Sequence, residues 1–156
     1  MPRAAWALLA AAIAELGFAL VMQYGFGYEP CVLCLWQRVP YGAAIAFAAL
    51  ASLPPCHPYA RQLLGLCGIV FLAGAGLALF HTGVERHWWL GTSGCAVVPL
   101  NASSVEDLRT KLLQMTVARC DEISWRFLGL SMANWNIPDS LLLAGFSFYA
   151  AKRAGK

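Results

Sequence analysis

Long apolar stretches separated by short polar links dominate the first half of the chain, and one more apolar stretch follows a long polar region. About 20 consecutive apolar residues span a bilayer as an α-helix. The pattern predicts four membrane-spanning helices, at residues 4–23, 35–53, 63–80 and 135–151. Only Glu15 and Gln23 interrupt the first stretch, which exceeds the ~7–15-residue apolar core of a signal peptide. We therefore expect the first stretch to be a span.

Prolines and polar residues set the predicted ends of the spans. Pro54 and Pro55 end the second span, because proline cannot continue a helix. We expect the fourth span to start near Trp135, with Asn136 as its cap and Pro138 in its first turn.

The polar residues 81–134 are predicted to form one large extramembrane loop, on the same side as the short link at residues 24–34. Ser103 and Ser104 are typical of a helix cap, and helical spacing continues through Val105, Leu108, Leu112 and Met115. We expect a short amphipathic helix on the membrane surface. The predicted fold is an all-α integral membrane protein, a four-transmembrane-helix bundle in a single membrane domain over residues 1–156.

The composition agrees with a membrane protein, because 60% of the 156 residues are hydrophobic and 12% are charged. A net charge of +3, with no basic run before the last five residues, argues against a nucleic-acid partner. Five basic residues concentrate at the termini and in the link after the second span: Arg3, Arg61, Lys152, Arg153 and Lys156. The positive-inside rule then predicts cytoplasmic termini and an external large loop.

Cys31 and Cys34 form a Cys-x-x-Cys pair where the second apolar stretch begins. In a helix, four side chains would share one face: Cys31, Cys34, Arg38 and Tyr41. The positive end of the helix and the Arg38 charge would favour the thiolate form, which favours redox chemistry. A structural disulfide or half of a zinc site is the alternative interpretation of the pair taken alone.

The predicted topology places a second pair, Cys95 and Cys120, on the same side of the membrane as the first pair, where disulfides persist. A disulfide between Cys95 and Cys120 would close the loop, and we expect it to be exposed to attack by another protein's thiolate. A simple loop staple, or a zinc site formed by all four cysteines, is the alternative. The other two cysteines are interpreted as inert small residues: Cys56 and Cys67.

Several motifs, in order along nearly the whole chain, resemble the bacterial disulfide bond formation protein B (DsbB) family. They are Glu-Pro-Cys-Val-Leu-Cys-x-x-Gln-Arg at 29–38, His-Thr-Gly-Val-Glu at 81–85, the Cys95 and Cys120 pair, and Trp-Arg-Phe-Leu-Gly-Leu-Ser-Met at 125–132. The chain departs from the family at Gln37, where some members carry glutamate, and at the additional thiol of Cys67.

The resemblance implies an enzyme of the bacterial inner membrane that oxidises the periplasmic thiol oxidase DsbA and passes two electrons to a membrane quinone, ubiquinone or menaquinone. It also implies that Cys95 forms the mixed disulfide with DsbA and that Cys120 resolves it toward Cys31. Cys34, with its thiolate held near Arg38, would donate to the quinone, and His81 would line the quinone site. No metal is expected.

Some residues keep a second interpretation. Arg38 could extend to the membrane interface, and His81 could be a hydrogen-bonded interface histidine. Glu15 lies inside a span, and no role is assigned to it. The competing function is a non-enzymatic membrane scaffold or assembly factor with static disulfides or a zinc site, which does not need an arginine one turn after Cys34.

Overall fold

The computed structural model describes residues 2–96, 104–106, 109 and 118–154. The helices in these ranges are α1 (Pro2–Tyr24), α2 (Val32–Ser52), α3 (Ala60–Glu85), the short α4 (Ser93–Ala96) and α5 (Met132–Ala154). A 3₁₀ helix at Pro54–Tyr59 joins α2 to α3. Two short antiparallel strands, β1 (Arg126–Phe127) and β2 (Leu130–Ser131), precede α5.

Three helical segments of the described chain are long and apolar enough to cross a membrane: Arg3–Gly25, Val32–Ser52 and Pro54–Glu85. They match the first three predicted spans. The 23-residue α5 is long enough as well, but polar side chains in its first turns and two cations in its last turn lower its hydropathy. A fourth span at α5 therefore stays a prediction, as does the single-domain arrangement around it.

The start of α5 differs from the prediction. The helix begins at Met132, three residues before Trp135, and Pro138 lies inside it. Ser131 provides the cap, because its Oγ accepts a hydrogen bond from the Asn134 backbone N–H at 3.2 Å. The expectation that Asn136 caps this helix is wrong, since its side chain bonds to Tyr41 and Gln37 of α2 instead.

Two other helices extend beyond the predicted spans toward the cysteines. Since α2 begins at Val32, Cys31 is its N-cap residue. Since α3 continues to Glu85, His81 lies one turn before its end and is held in a rigid element. Both extensions place the candidate residues Cys31 and His81 at helix ends rather than in loops.

The long helices bury small residues and expose large apolar ones. Helix α3 packs between α2 and α5, and α1 packs on α2. Ser140 and Ser147 of α5 are fully buried, and Gly68 of α3 lies against the Phe148 ring. Many large apolar side chains face outward, including Ile69 and Leu142. Small residues at helix contacts are typical of packing within a bilayer, where close backbone approach replaces the hydrophobic effect.

A tight hairpin connects the loop to α5. Its strands pair Phe127 with Leu130, leaving a two-residue turn in which Leu128 and Gly129 have φ values of 51° and 81°. Positive φ at both positions defines a type I′ turn, which suits the twist of paired strands. The hairpin places Ser131 at the start of α5 and beside the end of α3.

The predicted amphipathic helix cannot be compared with the structure in full. Most of it, including Ser103, Leu108, Leu112 and Met115, lies outside the described residues.

Candidate functional site

Cys31 and Cys34 are neighbours at the N-terminus of α2. Their sulfurs are 2.9 Å apart, and both residues are free thiols. Cys31 is only 4% exposed, whereas Cys34 is half-buried. The predicted placement of the pair at a helix N-terminus is confirmed.

The Cys31 sulfur is surrounded by hydrogen-bond donors. The Cys34 backbone N–H donates to it at 3.3 Å in an N-cap interaction, and His81 Nε2 lies 3.5 Å away. The hydrogen bond from the Cys34 thiol, aided by those from His81 and the Cys34 backbone, lowers the pKa of Cys31 to about 4. Cys31 is therefore the more acidic thiol beside these donors, and a good leaving group in disulfide exchange.

His81 is held on both sides of its ring. It is 4% exposed, and its Nδ1 lies 2.7 Å from Nε2 of the Gln37 amide. Its Nε2 faces Cys31 and lies 3.9 Å from the Glu85 carboxylate. An interface histidine without a ligand would not need these contacts to a thiol, so the geometry favours a role in the site.

Glu85 ties the hairpin to the site. Its side chain is 6% exposed and accepts hydrogen bonds from the Ser131 hydroxyl at 2.5 Å and the Asn134 amide at 3.4 Å. These two donors come from the end of β2 and the first turn of α5. Glu85 thus joins the ends of α3 and α5 directly beside His81.

Arg38 does not bind either sulfur of the pair. Its Nη1 donates a hydrogen bond to Gln23 Oε1 of α1 at 2.6 Å, and no hydrogen bond from the guanidinium to Cys31 or Cys34 occurs within the described residues. The expected helical face is nevertheless present, because Cys34, Arg38 and Tyr41 line one cavity. The positive charge of Arg38 therefore faces the contents of this cavity rather than the thiols themselves.

The cavity has a volume of about 150 Å³ and lies between α1, α2, α3 and α5. A cavity of this size holds one six-membered ring. Its walls combine apolar side chains, the two cysteines, Arg38 and His81, and Trp125 from the loop closes one side with its ring edge-on to Phe18. Polar donors in an otherwise apolar wall suit a flat ring with carbonyl oxygens, which is what a quinone head group presents. Glu15, for which no role was predicted, also lines this cavity.

Cys95 and Cys120 form a disulfide with a Cα–Cα distance of 5.1 Å. The expectation that this bond is exposed is wrong, because Cys95 is 4% exposed and Cys120 is fully buried. Both pack in one apolar cluster with Cys31, Leu33 and Val84. A second cavity of about 100 Å³ reaches Cys95 from the outside, between Trp89, Leu90 and Asp121. Burial follows from the close packing of the two cysteine pairs, which the sequence could not show.

Gly91 makes room for the disulfide, and a methyl group there should disturb it. A Cβ on Gly91 would lie 2.8 Å from Cys95 Cβ, whereas a Cβ on Gly94 would meet only Val32 at 3.5 Å. Gly91→Ala should therefore lower the free energy of unfolding by about 1–3 kcal/mol through overpacking. Gly94→Ala is the matched control and should be nearly neutral. Denaturant titration of both variants in detergent measures this, and equal stabilities would contradict the packing described.

The remaining cysteines lie away from the two pairs. Cys67 is fully buried in α3, with its sulfur 3.7 Å from the Ala44 carbonyl oxygen. Cys56 lies in the 3₁₀ helix at the opposite end of α2 from Cys31. Both positions agree with the interpretation as inert residues, which stays a prediction.

A metal site is a poor match for the inner pair. The ligand atoms of Cys31, Cys34 and His81 all lie within 4.8 Å of one another. Two thiolates on one tetrahedral zinc ion, at bond lengths near 2.3 Å, would be about 3.8 Å apart, compared with the 2.9 Å found here. The Nδ1 of His81 also accepts a hydrogen bond from Gln37, whereas a zinc-bound histidine usually donates from its second nitrogen.

Three further residues of the site were named from the sequence, but without their contacts between helices. Asn136 and Tyr41 link α5 to α2 by a 2.7 Å hydrogen bond, and Gln37 continues this link to His81. The only sequence signal is the presence of amides and a phenol in apolar helices, where polar side chains need partners. Which partner each one finds depends on how the helices pack.

Comparison with known proteins gives one family. A family model described as disulfide bond formation protein DsbB matches residues 2–150. No solved structure gives a significant match.

Three curated relatives are all named disulfide bond formation protein B. The relative from Mannheimia succiniciproducens is 32% identical, over 96% of this chain and 82% of its own length. That from Aromatoleum aromaticum is 30% identical, over 95% and 92%. That from Chromobacterium violaceum is 35% identical, over 85% and 82%.

Proposed function

Because the chain belongs to the disulfide bond formation protein B family, we propose that its two cysteine pairs carry electrons from a DsbA-type dithiol to a quinone in the cavity beside Cys34. As a member of this family, it is a bacterial inner-membrane thiol-disulfide oxidoreductase that reoxidises DsbA, and its quinone dependence follows from the family. The individual roles of the residues, given next, are the proposal.

One observation carries the proposed relay. Cys31 shares a buried apolar cluster with Cys95 and Cys120, and Cys31 and Cys34 both line the cavity. The two pairs thus belong to one packed region, and of these four cysteines only the inner pair borders the cavity. A static staple would not need this arrangement.

The exchange steps follow from thiolate chemistry. Attack by a DsbA thiolate on Cys95 breaks the outer disulfide and leaves Cys120 as a thiolate. Attack by Cys120 on Cys31 of an oxidised inner pair then breaks the Cys31–Cys34 bond and leaves the Cys34 thiolate at the cavity wall. When the second DsbA thiol displaces Cys95, Cys95 returns to Cys120 and releases Cys31 as a thiolate. The hydrogen bonds to Cys31 stabilise that leaving group.

The residues that line the cavity have separate proposed roles in binding and shielding the quinone. A bound quinone supplies the two-electron acceptor, which takes up two protons as it is reduced. Arg38 places a positive charge toward the ring, and Gln23 fixes the orientation of its guanidinium. Trp125 and Phe18 shield the ring from water on the loop side. The choice between ubiquinone and menaquinone is left to the assay.

The proposed topology has four spans, with α5 as the fourth, cytoplasmic termini and both cysteine pairs in the periplasm. It is supported by the large apolar side chains that α5 exposes, such as Leu142 and Phe146, and by Lys152 and Arg153 in its last turn. Disulfides persist in the periplasm, which agrees with the outer pair being bonded.

The test is anaerobic mixing of the detergent-solubilised chain with reduced DsbA and either a ubiquinone or a menaquinone analogue. The amount of quinone reduced, followed by the fall in its absorbance, should equal the amount of DsbA oxidised. Absence of quinone consumption, together with stoichiometric zinc or unchanging disulfides, would favour the scaffold alternative.

Arg38→Gln tests the cavity assignment. Loss of a charge-assisted hydrogen bond should raise KM for the quinone about 10-fold or more, while KM for DsbA stays unchanged. Arg86→Gln is the matched control, because Arg86 donates to Asn134 and stacks over Trp88 outside the cavity. Equal quinone KM values for the two variants would exclude Arg38 from the quinone site.

A further inference from the structure

A chain of hydrogen bonds runs from α5 through α2 to His81 of α3. Asn136 Nδ2 donates to Gln37 Oε1 at 2.6 Å, and Gln37 Nε2 faces His81 Nδ1 at 2.7 Å. Gln37 is 8% exposed and His81 4%. The chain therefore lies in the protein interior, where an unmatched donor or acceptor costs about 1–3 kcal/mol.

The direction of this chain is set at its α5 end. Asn136 Oδ1 accepts hydrogen bonds from the Tyr41 hydroxyl at 2.7 Å and from the Ser140 hydroxyl at 2.8 Å. Tyr41 also lies 2.8 Å from the Asp139 carboxylate and 3.2 Å from the Ser140 hydroxyl, but the 2.8 Å bond to Asn136 is the shorter of the two that Ser140 can donate. The oxygen of Asn136 is thus committed, and its NH₂ group must face Gln37.

The orientation of the Asn136 amide determines the protonation of His81. Because Gln37 Oε1 accepts from Asn136, Gln37 presents its NH₂ group to Nδ1 of His81. Nδ1 must then be the unprotonated nitrogen, and the proton of the neutral ring lies on Nε2. Nε2 is the nitrogen that faces the Cys31 sulfur.

We infer that Asn136 and Gln37 are positioning residues that hold His81 as its Nε2–H tautomer, so that it donates a hydrogen bond to Cys31 whenever Cys31 is released as a thiolate. This role deepens the proposed function, since it assigns the support of the Cys31 leaving group to a residue of α5. A ring in the opposite tautomer would present a lone pair to the thiolate and repel it.

Other charged or titratable groups also face Cys31 and must be held constant in the test. Among these groups, the Cys34 thiol lies on α2 and the Glu85 carboxylate lies on α3. On α5, the Asp139 carboxylate is connected to the site only through Tyr41. The other charged or titratable groups that line the shared cavity are Glu15, Tyr28, Glu29, Arg38, Arg119 and Glu122.

The tautomer can be measured directly in the full chain. The sequence contains three histidines, so ¹⁵N-histidine labelling gives three pairs of ring signals, which His57→Gln and His87→Gln assign by elimination. Protonated and unprotonated ring nitrogens have well-separated ¹⁵N shifts. In the wild-type protein with a reduced inner pair, we expect His81 to show a protonated Nε2 and an unprotonated Nδ1. A protonated Nδ1 would overturn the inference without any variant.

Asn136→Asp is the decisive variant. A carboxylate at this position accepts a hydrogen bond from Gln37 instead of donating one, so the Gln37 amide turns and presents Oε1 to His81. We expect the proton to move to Nδ1 and the midpoint pH of Cys31 alkylation to rise by about one unit, because the thiolate loses its hydrogen-bond donor. Retention of the wild-type tautomer in this variant would refute the positioning role.

Two controls separate charge, folding and function. Gln23→Glu adds the same negative charge on the cavity wall beside Arg38, and we expect it to keep the Nε2–H tautomer. Tyr41→Phe removes one donor to Asn136 but leaves Ser140, so we also expect the wild-type tautomer. A change of tautomer in either control would contradict the directional chain. Failure of the quinone assay with the expected tautomer pattern would reject the proposed function while leaving this inference intact.

Discussion

Replacing any one of Cys31, Cys34, Cys95 or Cys120 with serine should abolish the reduction of quinone by reduced DsbA. Each of the four sulfurs forms a covalent bond in the proposed relay, and serine cannot form a disulfide. We expect turnover to fall on the order of 10³-fold or more, which corresponds to about 4 kcal/mol in activation free energy. Anaerobic quinone absorbance measures the effect.

The chain offers matched controls for this experiment. Cys56→Ser and Cys67→Ala remove sulfurs that lie outside the two pairs. Both should keep turnover near the wild-type value. Turnover that survives the loss of Cys95 or Cys120 would remove the outer pair from the relay, and turnover lost in Cys56→Ser would require another route for the electrons.

His81→Gln should produce the second largest effect. The variant loses a hydrogen bond to Cys31 and a wall of the cavity, so we expect turnover to slow by about 10²-fold at pH 6, near the lower end of the effect of a positioned acid-base group. His57→Gln is the control, because His57 lies in the 3₁₀ helix at the other end of α2. If His81→Gln were as active as the His57→Gln control, the role of His81 would be purely structural.

The pH dependence of this variant has a defined sign. The Cys34 thiol and then His81 hold the pKa of Cys31 near 4, below the ordinary thiol value of about 8.5. Losing His81 raises this pKa partway toward the ordinary value. The deficit of the variant should therefore be largest between about pH 4 and pH 8, and it should narrow at higher pH, where Cys31 is deprotonated in both proteins. A deficit independent of pH would show that His81 acts on something other than the Cys31 thiolate.

The burial of the outer disulfide changes how partner access is understood. A partner could reach an exposed disulfide without any opening of the structure around it, whereas Cys95 and Cys120 are buried. The cavity beside Cys95, lined by Trp89, Leu90 and Asp121 among others, reaches the sulfur that DsbA is proposed to attack.

The sequence by itself determined the positions of the three apolar spans, the placement of Cys31 and Cys34 at a helix N-terminus, and the family. These follow from local pattern, because span length and cysteine spacing depend on consecutive residues. Family membership also follows from ordered motifs, which need no contacts between distant segments. The predicted start of α5 is wrong, because Asn136 and Pro138 are typical of a helix start, whereas the helix begins after the hairpin that leads to Ser131.

Only the tertiary structure decided which groups meet. Arg38 and Cys34 share a helix face and line one cavity as expected, but only the approach of α1 brings Gln23 to the guanidinium. His81 reaches Cys31, and Asn136 reaches Gln37, across 50 and 99 positions of the chain. The spacing of residues along one helix determines only which of its own side chains share a face. A buried polar group, in contrast, forms a hydrogen bond with whichever partner the packing of the helices brings near. The charge state of Cys31 is therefore a property of the assembled bundle.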